Sequence, residues 1–218
     1  MAQEGFGRVV TVSATYGAGG SLIAPGLADR LGLPFVDRLL SADASQQAAR
    51  SQEGLAEGEE ETTPPGRFLS YFARAANIGT VMSPEMIPAE PLLDDDAIRD
   101  RAEQALRPVA AGQPAVVLGR AGAVVLRSRP RTYHVRLDGP VERRVAWAAE
   151  WEHLDINAAR RRQAETDRAR TQFVKRLYRA DPANPCLYHL LIDPTVLGVE
   201  ATIDVIVAAA ERFFGRVS

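Results

Sequence analysis

Cysteine occurs once in this 218-residue chain, at Cys186, and lysine once, at Lys175. A lone cysteine excludes an intrachain disulfide. A lone lysine so far along the chain excludes a phosphate-binding or Schiff-base lysine near the N-terminus; the other 25 basic residues are all arginine. Histidine is scarce too, and His134, His153 and His189 stand apart, without the spacing of a zinc site. The longest apolar run, 205–210, has six residues, far short of the ~20 that a membrane span needs. The first ten residues lack the basic-then-apolar order of a secretory leader. A cytoplasmic protein without a membrane partner is expected. The net charge of −2 supplies no global field toward nucleic acid, and no nucleic-acid partner is expected.

What is present suits one folded domain over 1–218. Hydrophobic residues make up 46%, enough for a core in a chain of this length. Residues 8–13 (RVVTVS) read as a buried strand. Glycines follow at 17, 19 and 20, and then a helical pattern carries Ile23, Leu27 and Leu31 on one face. Pro25 and Gly26 predict a late start or a bend in that helix. Further strands are expected at 34–36, 115–118, 132–138 and 188–192. Helices are expected at 94–111, 121–128, 140–151, about 156–179 and 198–214. Strands alternating with helices predict an α/β fold around a mostly parallel sheet. Ligands of such sheets gather outside the C-terminal strand ends, here 14–21, 37–38, 119–122 and 138–140.

Charge is unevenly placed. Residues 41–66 hold six acids and one arginine, net −5, with no aromatic residue; they read as a mobile acidic segment. Beyond them, Phe68, Leu69, Phe72 and Ala76 offer an apolar helical face. Residues 157–179 hold Arg160, Arg161, Arg162, Arg168, Arg170, Lys175, Arg176 and Arg179 against Glu165 and Asp167, net +6. Arginine clusters recognise phosphate through paired hydrogen bonds. A solvated charged helix is the plainer reading, and an RNA-binding helix a third. Phe173, Leu177 and Tyr178 in that stretch suit packing better than base stacking.

The segment Ala14-Thr15-Tyr16-Gly17-Ala18-Gly19-Gly20-Ser21 lies between strand and helix, where a phosphate cradle forms. Glycines let backbone N–H groups approach an anion, and the helix N-terminus adds partial positive charge. Against G-x-x-x-x-G-K-[ST], Gly19 and Ser21 match, Ala14 replaces the first glycine and Gly20 stands at the lysine position. A tight turn without ligand is the bland alternative. A dinucleotide fingerprint is the other, with Gly17, Gly19 and, twenty residues on, Asp37; Leu22 stands where its third glycine belongs.

The turn and the arginine helix together resemble the cytidylate kinase-like branch of the nucleoside monophosphate kinases. The resemblance runs through VTVSATYGAGGSLIAPGLADRLGLPFVDRLL (10–40), VVLGRAGAVVLRSRP (116–130), VRLDGPVERRVAWAAE (135–150), RRRQAETDRARTQFVKRLY (160–178) and YHLLIDPTVLGVEATIDVI (188–206). It implies a three-layer α/β/α P-loop fold with a five-stranded parallel sheet. An inserted, variable monophosphate-binding region would span 41–112 and a lid 156–180. The implied reaction transfers the γ-phosphoryl of ATP, with Mg²⁺, to CMP, dCMP or a similar monophosphate. By position, Tyr16, Gly17, Ala18, Gly19, Gly20 and Ser21 would hold ATP phosphates, with Ser21 also touching the metal. Asp37, Arg38 and Arg120 would meet the acceptor. Arg162, Arg168 and Arg170 would be lid arginines, with Asp167 orienting an arginine; Arg168→Ala should then lower turnover by on the order of 10³. The chain departs from the usual pattern at Gly20 and at Ala121, where the family's Gly-Arg-Asp becomes Gly-Arg-Ala. A nucleotide-binding regulatory protein without turnover and an NAD(P)-binding oxidoreductase are the competing functions. The oligomeric state is not read from the sequence.

Overall fold

A computed structural model describes residues 5–37, 95–119 and 121–216. The acidic segment 41–66, the apolar face at 68–76, and Arg38 and Arg120 lie outside the described residues. Within them the chain forms β1 (Val9–Ala14), α1 (Gly20–Leu31), β2 (Phe35–Asp37), α2 (Asp95–Gln104), α3 (Arg107–Ala110), β3 (Ala115–Leu118) and α4 (Gly122–Val125). Then come β4 (Thr132–Leu137), α5 (Val141–Trp151), α6 (Ile156–Tyr178), β5 (Leu190–Ile192), α7 (Pro194–Leu197) and α8 (Val199–Arg216). A short 3₁₀ turn, Pro185–Leu187, precedes β5.

The five strands form one parallel sheet in the order β2-β3-β1-β4-β5. Alternation sets two different faces. Val10 and Val12 of β1, with Val135 and Leu137 of β4, pack against Ile23 and Leu27 of α1 and against Ile203, Ile206 and Ala210 of α8. Each such side chain, fully buried, contributes about 1.5–3 kcal/mol. The α1–α8 crossing is tight: a Cβ at Gly26 would lie 2.7 Å from Ile203 Cδ1. Val9, Ala115 and Val117 face the other way, against Leu106, Val109 and Leu126. Helices on both faces make the three-layer α/β/α arrangement.

Local departures from the expected elements have local causes. Pro25 sits inside α1 without delaying its start; it forfeits one backbone bond, while the buried face of Ile23, Ala24, Leu27 and Leu31 holds the helix to the sheet. The single helix expected over 94–111 is two, α2 and α3, because Pro108 has no N–H to give back to Gln104 and instead sits in the first turn of α3. The helix expected at 121–128 closes after four residues. Pro140 caps α5 rather than starting it.

Strand order also decides the dinucleotide alternative. In the classic dinucleotide fold the second strand lies beside the first, so its terminal acid reaches the ribose. Here β3 lies between β1 and β2. That puts Asp37 two strands, or about 10 Å, from the glycine turn, and the fingerprint's geometry is not met.

Candidate active site

The glycine turn leaves β1 at the centre of the sheet. Gly17 and Gly19 take φ of +75° and +70°, the left-handed region that glycine alone enters freely. A Cβ at Gly17 would also run into the backbone carbonyl of Arg144, so α5 rests directly on the turn. The Ala18 N–H turns back to Thr15 O at 3.2 Å, and Leu22 and Ile23 donate to Gly19 O. Among the described residues, the N–H groups of Gly17, Gly19, Gly20 and Ser21 donate to no protein acceptor. Four unspent donors at the start of a 12-residue helix form a nest of the kind that holds anions. Ser21 is exposed beside them.

Helix α6 closes over the turn. Asp155 caps it, accepting from Asn157 N at 2.9 Å and Ala158 N at 3.3 Å. Its inward residues include Gln163, Thr166, Ala169, Phe173, Val174 and Leu177. Asp167 meets the turn at that face: Oδ1 accepts from Tyr16 N at 2.7 Å. Its Oδ2 accepts from Arg144 Nη1 at 2.9 Å and from Gln163 Nε2 at 2.8 Å. Arg144, 4% exposed, also donates to Tyr16 O at 2.5 Å and to Gly139 O at 2.8 Å. The arginine that Asp167 orients is therefore Arg144 of α5, a residue the linear pattern did not single out. Arg170 donates to Ala14 O at 2.9 Å. Arg162 pairs with Glu152 at 2.9 Å, and its guanidinium lies 6.0 Å from the centre of the Tyr16 ring. The Tyr16 hydroxyl donates to the same Glu152 oxygen at 2.8 Å. Burial first, and then the Glu152 carboxylate, raise its pKa, so it stays a neutral phenol.

Beside the turn, between the sheet and α6, opens a cleft. Its floor is the polar side of β1 and β4: Thr11, Ser13 and Arg136. Beneath it, Thr11 Oγ1 and His134 Nδ1 are 2.7 Å apart, and His189 Nδ1 accepts from His134 N at 2.9 Å. Burial, and secondarily His189, push the His134 pKa down to about 4. Both Asp167 and Arg170 line the cleft, so α6 serves the turn and the cleft with one face.

The expected site residues separate accordingly. Tyr16 to Ser21, Asp167, Arg170 and Arg162 come together around the turn. Arg168 does not: it is exposed, because one residue along a helix is about 100° of rotation and Asp167 and Arg170 share the inward face. Asp37 ends β2 opposite Leu118, on the far side of β3. Arg38 and Arg120, assigned to the acceptor by resemblance, lie outside the described residues. Arg136, Arg144, Gln163 and Glu152 were missed. For Arg136 a signal existed, since Thr132, His134 and Arg136 alternate on a strand paired on both sides.

A match to the cytidylate kinase-like family covers residues 9–195. The chain belongs to the cytidylate kinase-like family. Among curated relatives of this family member, the cytidylate kinase of Methanopyrus kandleri is 29% identical over 85 residues, covering 39% of this chain and 44% of that one. A protein named uronate isomerase from Corynebacterium glutamicum is 26% identical over 156 residues, covering 71% of this chain and 30% of that one. The chain thus spans less than half the length of either. Three solved structures share the fold. An uncharacterized protein from Eubacterium ventriosum superposes with a TM-score of 0.61 at 15% identity, over 94% of this chain and 98% of that one. A gluconokinase from Sinorhizobium meliloti gives 0.50 at 18% identity, over 98% and 99%. A shikimate kinase from Bacteroides thetaiotaomicron gives 0.50 at 11% identity, over 95% and 98%. The fold of this cytidylate kinase-like protein is that of the P-loop kinases. No helix among the described residues is long and apolar enough to cross a membrane.

Proposed function

We propose that the protein is an ATP-dependent nucleoside monophosphate kinase that phosphorylates CMP or dCMP to the diphosphate. The observation that carries this reading is the set of four unspent N–H donors at 17, 19, 20 and 21, with Arg170 anchored at the base of the same turn. Phosphoryl transfer asks for positioning and charge neutralisation more than for covalent chemistry. The nest would hold the ATP phosphates. With no lysine in the turn, Arg162 and Arg170 on α6 would supply the positive charge. A helix that bears those arginines and also shuts the turn would exclude water from the transfer. Ser21, exposed beside the nest, would hold Mg²⁺ through its hydroxyl, a hard oxygen donor of the kind that ion takes. When bound there, the ion would offset charge on the phosphates.

A second reading rests on Asp167. Its carboxylate already takes the Tyr16 N–H at 2.7 Å, a carboxylate at the mouth of an anion nest. A nucleotide-binding regulator without turnover fits that contact. A monophosphate panel (CMP, dCMP, UMP, AMP, GMP) with ATP and Mg²⁺ separates the two. The kinase reading expects ADP release fastest with CMP or dCMP. Saturable ATP binding by calorimetry, with no ADP from any acceptor, would establish the regulator instead.

A further inference from the structure

We propose that Arg136 is the receptor for the anionic group of the acceptor, seated in the cleft between the sheet and α6. This deepens the proposed function and rests on it for the acceptor's identity; the receptor itself is tested by binding alone.

Interior strands of parallel sheets, covered on both faces, are usually apolar throughout. β4 is paired on both sides, yet its Arg136 is 9% exposed. A charge held so deep requires compensation. The guanidinium has five N–H groups. Nε and Nη2 donate to Asp138 Oδ2 at 3.3 and 3.1 Å, and Nη1 to Ser13 Oγ at 3.2 Å. Among the described residues, two of its N–H groups meet no acceptor. The Tyr188 ring lies against the guanidinium, 5.6 Å from its centre, and the Tyr188 hydroxyl is tied to Pro182 O at 2.9 Å. The fork is therefore held in place before any ligand arrives.

Among the described residues its only carboxylate partner is shared. Asp138 also accepts from Thr15 Oγ1 at 3.0 Å and Gly139 N at 2.9 Å, and lies 3.6 Å from Arg144. Two oxygens of a phosphate monoester match the two remaining N–H groups. Ala121, Val124, Phe173 and Val174 wall the same cleft, apolar surface for the body of a nucleoside. The cleft adjoins the start of the turn, since Ala14 and Thr15 line it, so an anion on Arg136 would lie next to phosphates in the nest.

Calorimetry on the full chain tests this with CMP, cytidine, inorganic phosphate and ATP against the wild type, Arg136→Met and Arg136→Lys. The wild type should prefer CMP to cytidine. Arg136→Met should weaken CMP by roughly 10–100-fold and erase that preference, leaving cytidine and ATP unchanged. Arg136→Lys keeps the charge but loses the fork, so it should fall between; it also keeps the test open if the methionine variant does not fold. A folded variant that still binds CMP within twofold of the wild type would overturn the assignment. Arg136-dependent phosphate binding with no turnover of any monophosphate would refute the kinase and leave the receptor standing. CMP turnover with an unchanged KM in both variants would do the reverse.

Discussion

Arg144 joins three parts of the molecule through one side chain: the turn at Tyr16, the loop at Gly139 and α6 at Asp167. Its side chain is 5% exposed and that of Asp167 19%. Removing one member of such a pair strands the other away from water. Arg144→Met should lower unfolding free energy by about 3 kcal/mol, read as a shift in urea midpoint; a change under 0.5 kcal/mol would mean that the pair is solvated. Catalytic weight should fall elsewhere. Arg170→Ala should reduce turnover by on the order of 10³ if its guanidinium meets transition-state charge. Exposed Arg168 is expected to tolerate alanine within about threefold, since a solvated surface charge contributes little. Steady-state rates of the two variants under one assay decide between them, and a larger loss at 168 would show that α6 rotates or lifts during turnover.

At the scale of elements, α6 depends on its ends and its inner face. Asp155 satisfies two otherwise unpaired N–H groups, so Asp155→Ala should destabilise by about 1 kcal/mol and Asp155→Ser by much less; equal losses in the two variants would deny the cap. This helix also marks the boundary of what a linear reading could see. The β1-turn-α1 unit was legible because its parts adjoin in the chain and glycine spacing constrains them. The arginine run was legible as a cluster, but not which arginines face inward, since phase within a 23-residue helix is set by packing. Arg143 and Arg144 are adjacent in sequence; only the second turns inward, with Val145 and Ala148. The split of 94–111 into two helices follows from Pro108, a cue present in the sequence.

For the whole molecule, the polar side of the sheet ties stability to pH. His134 is held neutral, its pKa lowered from 6.5 to about 4, and burial lowers that of His189 as well. Between those two pH values the unfolded chain binds a proton at His134 that the folded chain refuses. Stability from this site is therefore complete above pH 6.5 and is lost as pH falls toward 4, amounting to about 3 kcal/mol in all. Urea midpoints at pH 7 and pH 4.5 should show a steeper loss for the wild type than for His134→Gln. Parallel slopes would remove His134 as the cause.

The chain's two solitary reactive side chains have a practical consequence. Lys175 lies near the C-terminal end of α6, half exposed and 3.5 Å from Asp181. Cys186 is exposed in the 3₁₀ turn before β5. A thiol reagent therefore has one address and an ε-amine reagent another, eleven residues apart, without any engineered substitution. One dye would ride on the helix that carries the arginines and the other beside the sheet that stays put. Any lifting of that helix when nucleotide arrives could then be followed optically in the native sequence.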